Sequence, residues 1–248
     1  MGKHLDLTDF LKEWDYHEGK NVRFFTTLDG REIMQVRLPL GVEQYEMEGR
    51  PDGFKPHGYD SWLDYELDKL NDSQLEDREY VMDQEAYFNL REEGILYYSR
   101  YLVLFQAGKY EPVIDDTAHN LEIARLVSDC YVPEEKADLL QYLPYIRRVN
   151  AVAHAMLCLN RGDREQAKTE LERGIRDVNE YDGHDSPIFT VEKLRSLQNL
   201  EQLLDQVGND SDSEKEVLEE ELKRAVESEN YEQAARIRDR LKDIDPRG

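Results

Sequence analysis

The chain has 248 residues, and its 32 Lys+Arg against 55 Asp+Glu give a formal net charge of −23 at pH 7. A composition 39% hydrophobic and 35% charged suits a folded chain with one core or two small ones, and argues against disorder throughout. An anionic surface repels phosphate backbones and anionic lipid, so bulk charge disfavours a protein that grips nucleic acid or adsorbs to membranes.

Residues 1–58 hold the strand character. Leu5 to Trp14 reads as a short helix, and Val22, Phe24 and Phe25 lead to Asp29-Gly30, a dipeptide suited to a tight hairpin turn. In the return run Met34, Val36 and Leu38 alternate with Gln35 and Arg37, and a third run, Leu40 to Met47, ends at Gly49-Arg50-Pro51-Asp52-Gly53. A three-stranded meander follows, with one apolar face resting on the helices beyond it.

From Ser61 onward the pattern is helical. Ser61 with Asp64, and Ser73 with Glu76, fit two helix starts, the second opening a stretch towards Ala107 that is interrupted near Asp83. Leu90, Gly94, Tyr97, Tyr98, Tyr101, Leu104 and Phe105 recur there at three- and four-residue steps and predict one buried face. Three turns look alike: Gln106 to Glu111 around Gly108, Asn160 to Ala167 around Gly162, and Glu229 to Ala234 around Asn230. Around Gly162, Val149, Val152, Ala153, Met156 and Leu157 face Ala167, Leu171, Ile175 and Val178. These segments resemble tetratricopeptide hairpins, but their separations of 54 and 68 residues depart from the regular repeat of about 34. A further helix is expected after Pro187 and Thr190, through Leu194, Leu197, Leu200, Leu203 and Leu204, and Gly208 to Ser213 then reads as a flexible linker. The expected fold is mainly α. An irregular tetratricopeptide-like helical-hairpin bundle over 59–207 carries the meander of 1–58, and the linker 208–213 leads to an antiparallel helical hairpin over 214–248.

In that last module Leu218, Leu222, Ala225 and Val226 form one helical stripe and Ala234, Ile237, Leu241 and Ile244 a second, joined around Ser228-Glu229-Asn230. Leu222, Ala225, Tyr231, Glu232, Ala234, Ala235, Ile237, Arg238, Asp239, Leu241 and Ile244 resemble the UVR motif. That motif is the hairpin at the C-terminus of UvrB, found also in UvrC, in some Clp-type unfoldase subunits and in McsA-type adaptors. Tyr231 stands where the family usually has Phe, and the rest of the chain is similar to the N-terminal parts of bacterial UVR-motif proteins. The resemblance implies protein contact and not catalysis, with Leu222, Val226, Tyr231, Ala234, Ala235, Ile237, Arg238, Asp239 and Leu241 as the interaction residues. Size points the same way, because domains below about 40 residues normally need a metal, a disulfide or a partner. Residues 214–248 carry 8 basic and 11 acidic residues, so the module lacks the positive patch of a DNA binder.

The chemistry is sparse. No phosphate-cradling Gly-x-x-x-x-Gly-Lys-Ser/Thr occurs, and Gly94-Ile95-Leu96-Tyr97-Tyr98 resembles half of a GIY-YIG nuclease signature but lies in a helical pattern without the other half. Cys130 and Cys158 form no CxxC pair, and the six histidines never pair at metal spacing; His119 and His154 read as structural. The run Asp60 to Glu93, with 12 acids and 3 bases, reads as a solvated face. Tyr87, Tyr97, Tyr98, Tyr101, Tyr142 and Tyr145 read as core, with an aromatic peptide groove as the functional alternative. Arg50 reads as part of a turn, with anion binding as its alternative. No apolar run approaches the roughly 20 residues that span a bilayer and the first residues lack a signal peptide's apolar core, so a cytoplasmic location is expected. The expectation is thus a non-enzymatic adaptor with no cofactor, metal or catalytic residues, recruiting a protein partner or a second hairpin and touching neither nucleic acid nor membrane. The alternatives are an enzyme with a site between meander and bundle, or an excision-repair accessory.

Overall fold

The computed structural model describes residues 6–131, 137–181, 186–227 and 231–244. The chain divides at Leu139/Leu140 into two units, so the segments 1–58 and 59–139 lie together in the first. The fold is mainly α with a small N-terminal antiparallel sheet.

In the first unit α1 (Thr8–Glu13) precedes the strands β1 (Val22–Thr26), β2 (Glu32–Leu38) and β3 (Gly41–Glu46), which form a meander in the order β1-β2-β3. Phe24 stands opposite Met34, and Met34 opposite Tyr45. Gly30 turns the first hairpin at a φ of +88°, a left-handed conformation that Gly adopts without a Cβ clash. Met34 and Val36 are buried as their alternation predicts, yet Gln35 and Arg37 on the opposite face are buried too. The cover is α1 and the residue that follows it. The Arg23 guanidinium lies 4.1 Å from the Trp14 ring centre and 5.4 Å from that of Phe10. It donates to Gln35 Oε1 at 2.9 and 2.6 Å, while Arg37 Nε donates to the Trp14 carbonyl at 2.7 Å. Polar side chains remain on that face because each finds a partner there.

Ser61 caps α2 (Trp62–Leu75) by accepting from the Asp64 amide at 2.9 Å, as its spacing predicts. The second predicted start, at Ser73, is instead a helix end. The Ser73 hydroxyl donates to the Lys69 carbonyl, the Ser73 carbonyl accepts from the Arg78 amide at 2.8 Å, and Asp77 takes a φ of +53°. A left-handed residue just past a helix whose far amide reaches back to its last turn is a C-terminal stop, with Asp in the place usually given to Gly. The next helix, α3 (Gln84–Gln106), starts at Asp83, whose side chain accepts from the Ala86 amide at 2.8 Å. Gly108, at a φ of +70°, turns the chain into α4 (Tyr110–Cys130). Leu63, Met82, Tyr87, Leu90, Ile123, Leu126, Val127 and Tyr131 make one core cluster, in which the Tyr87 and Tyr131 rings stack at 4.3 Å.

A short α5 (Ala137–Leu140) leads to α6 (Leu143–Asn160) and α7 (Arg164–Asn179), joined through Gly162 at a φ of +80°. Asp163 caps α7 by accepting from the Gln166 amide at 3.0 Å. Ala167, Leu171, Gly174 and Val178 are buried on α7, so Gly174 occupies the stripe where the sequence placed Ile175. Gly174 is needed there. A Cβ on it would stand 2.4 Å from the Ala151 Cβ of α6. The following α8 (Pro187–Glu227) begins at Pro187 itself, which suits the first turn because its missing amide hydrogen would have no helical partner. Among the described residues Phe189, Ser196, Leu200, Val207 and Leu218 are buried on it, while Leu194 is exposed. Residues 208–213, read as a linker, are helical and belong to α8. A last helix, α9 (Tyr231–Ile244), follows; the turn at 228–230, including Asn230, lies outside the described residues.

Candidate functional site: the C-terminal hairpin and the buried charge network

The hairpin is built from two apolar stripes. Leu218 of α8 and Ile237 of α9 are buried on one another, and Leu222 and Leu241, four residues further along each helix, pack against that pair while half-buried. Helices joined by three residues and closed along these stripes run antiparallel. Of the other interaction residues read from sequence, Ala235, Arg238 and Asp239 are exposed on α9, beside exposed Arg236 and Arg240. The side chains of Val226, Tyr231 and Ala234 lie outside the described residues. Ile237 is thereby placed in the hairpin's own core, and among the described residues Leu222 and Leu241 are the apolar side chains of the hairpin left partly open. Acids and bases are unevenly shared between the two helices. Residues 214–227 contain six acids and three bases, whereas α9 contains four bases and three acids.

The first unit holds a network of buried charge that the sequence reading missed. Glu93 of α3 has no exposed side-chain surface. Its carboxylate accepts from the Trp62 and Leu63 amides at 2.7 and 3.0 Å, capping the start of α2, and from Arg50 Nη1 at 3.1 Å; His119 Nε2 of α4 lies 3.0 Å away. The same Arg50 holds Asp52 at 2.8 and 3.1 Å. Arg50 is therefore engaged both by Asp52 within the turn and by Glu93 of α3. About two turns further along α3, Arg100 grips Asp116 of α4 with two hydrogen bonds, at 2.9 and 2.5 Å, and donates to the carbonyls of Glu46 and Gly49 at 2.7 and 2.9 Å. Stacked at 3.7 Å between these pairs are the rings of Tyr97 and His119. The network joins the end of the meander, the start of α2, and α3 to α4. A signal for it was present, since Glu93 and Arg100 fall on the same three- and four-residue stripe as Leu90, Tyr97 and Leu104.

Tyr87, Tyr97 and Tyr101 are core residues, Tyr145 is half-buried, and Tyr98 and Tyr142 are exposed. His154 of α6 is half-buried, and burial followed by the charge of Arg173 holds its pKa below the usual 6.5. Burial also raises the thiol pKa values of Cys130 and Cys158, which are both free. Among the described residues no group of three or more His, Cys, Asp or Glu is placed to hold a metal, and no helix is long and apolar enough to cross a membrane.

The hairpin thus has the form of a small two-helix module. Residues 212–245 match the family model described as the UvrB/uvrC motif, which spans α9 and the C-terminal part of α8. Motifs of this family mediate contacts between proteins. No curated protein and no solved structure matches the chain.

Proposed function

We propose that the protein is a non-catalytic adaptor that recruits a protein partner through the hairpin formed by α9 and the C-terminal part of α8. The match of residues 212–245 to the UvrB/uvrC motif carries this reading, because it falls on a two-helix element with Leu222 and Leu241 half open. An element of this size, below the roughly 40 residues at which a core usually sustains itself, gains by covering that surface with another helix. Its uneven charge favours a partner of mixed sign, such as a second hairpin laid so that each acidic helix meets a basic one. A Clp-type unfoldase and an excision-repair nuclease subunit are the other partners that the motif suggests. The commitment of Glu93, Asp116, Arg50 and Arg100 to joining elements supports a scaffolding role for the first unit.

The test compares the intact chain with a Leu222→Asp, Leu241→Asp variant in affinity capture and in sedimentation equilibrium. Capture or self-association should be lost in the variant, and a peptide spanning 212–245 should compete with the intact chain. A variant that captures as well as the parent, or a peptide without effect, would move recognition away from the hairpin.

A further inference from the structure

We infer that residues 208–213 are a helix–coil hinge inside α8, which holds either an unbroken helix or a stop and restart and so decides whether the hairpin is a rigid extension or a tethered module. The inference comes from a conflict between backbone and sequence. α8 runs unbroken through 41 residues, about 60 Å at the usual rise. Its N-terminal part is held by buried Phe189, Ser196, Leu200 and Val207, and its C-terminal part by Leu218 against Ile237. Between them the sequence Gly208-Asn209-Asp210-Ser211-Asp212-Ser213-Glu214-Lys215-Glu216 has no apolar side chain. About 2.5 turns of helix therefore have no apolar group to bury, and tertiary packing is what ordinarily sustains a helix in water.

The first six of these residues are all weak helix formers, Gly by the widest margin. They are also the residue types that end and begin helices. Gly208 directly follows buried Val207, the place where a left-handed Gly closes a helix by returning amides to the last turn. Ser213 with Glu216, and Ser211 with Glu214, have the three-residue spacing at which a hydroxyl and a carboxylate cap a helix start reciprocally. The motif match begins at residue 212, beside that restart. In the unbroken form the helical ladder satisfies the backbone groups of 208–213, and in the broken form the two caps and water satisfy them. Neither form strands a buried polar group, so the two lie close in free energy. Unbroken, α8 fixes the direction in which the hairpin points. Broken, a six-residue tether with a root-mean-square span of roughly 13 Å frees it to search.

Amide hydrogen exchange on the full chain tests the hinge. Amides of 208–213 should exchange at least tenfold faster than those of Ser196 to Val207, and Gly208→Ala with Asn209→Ala should slow them roughly tenfold by raising helix propensity. Asp210→Pro, which forces the break, should leave protection in α6, α7 and α9 unchanged. Equal protection along α8, no response to the alanine pair, or loss of protection in α6 and α7 with Asp210→Pro would each overturn the hinge. The readout needs no partner, so it holds or fails separately from the adaptor reading.

Discussion

Glu93 illustrates how one buried acid can serve three elements at once. Its carboxylate takes both first amides of α2, an Arg from the turn after the meander, and sits beside a His from α4. Glu93→Gln preserves volume but sets an amide NH2 against those donors and leaves Arg50 with Asp52 alone. Urea unfolding should show a loss of about 2–4 kcal/mol, whereas Glu92→Gln, on the exposed side of the same turn, should stay within about 0.5 kcal/mol. A second residue-scale effect concerns pH. The folded pKa of His154 lies below its usual 6.5, so the unfolded chain binds the proton more readily and stability contributed by neutral His154 is lost as pH falls from about 6.5 through the folded value. Comparing parent and His154→Gln from pH 7.5 to 5.5, at roughly the range where His titrates, should show a shallower decline in melting temperature for the variant. Equal slopes would assign the decline to other groups.

At the scale of elements, the α6–α7 crossing depends on a missing side chain. Gly174→Ala should gain about 1 kcal/mol of helix propensity, yet its Cβ would meet that of Ala151 at 2.4 Å, and overpacking of this kind costs about 1–3 kcal/mol. The expected result is a net loss, recovered in Gly174→Ala with Ala151→Gly; a stabilised single variant would show that the helices separate freely. What could be read from sequence follows the same physics. The meander, the Ser61 cap, and the turns at Gly108 and Gly162 were legible because each rests on local chemistry: an Asp-Gly turn, a hydroxyl three residues before an acid, a Gly able to take positive φ. Ser73 misled because hydroxyls bond backbone at both ends of a helix, and only the left-handed Asp77 shows which end this is. Gln35 and Arg37 misled because alternation reports the strand's own polarity and not the distant Trp14 and Phe10 that cover it. The continuity of α8 through 208–213 opposes every local preference in that segment, which is why the sequence suggested a linker. In the hairpin the stripe positions were legible, but not that Ile237 would be hidden by Leu218 while Leu222 and Leu241 stay half open.

Across the whole molecule the charge is not evenly spread. Residues 1–139 carry 31 acids and 15 bases, a net −16, and residues 140–248 carry 24 acids and 17 bases, a net −7. α9 carries Arg236, Arg238, Arg240 and Lys242 against three acids, and it lies in the segment that matches a motif named after excision-repair proteins. A nucleic-acid contact through the motif would be made there, by about two phosphate contacts from one face of the helix, Arg236 with Arg240 or Arg238 with Lys242, against the repulsion of the surrounding acids. Phosphate contacts release counterions and weaken steeply with salt, so so few of them should not hold a duplex at about 0.15 M ionic strength. Anisotropy titration of the intact chain against labelled duplex and single-stranded DNA should accordingly show no saturable binding in the micromolar range, and Arg236→Ala with Arg240→Ala should change nothing. Salt-sensitive micromolar binding that this pair of substitutions abolishes would instead make the basic face of α9 a nucleic-acid contact, and would favour a repair accessory over an adaptor that meets only protein.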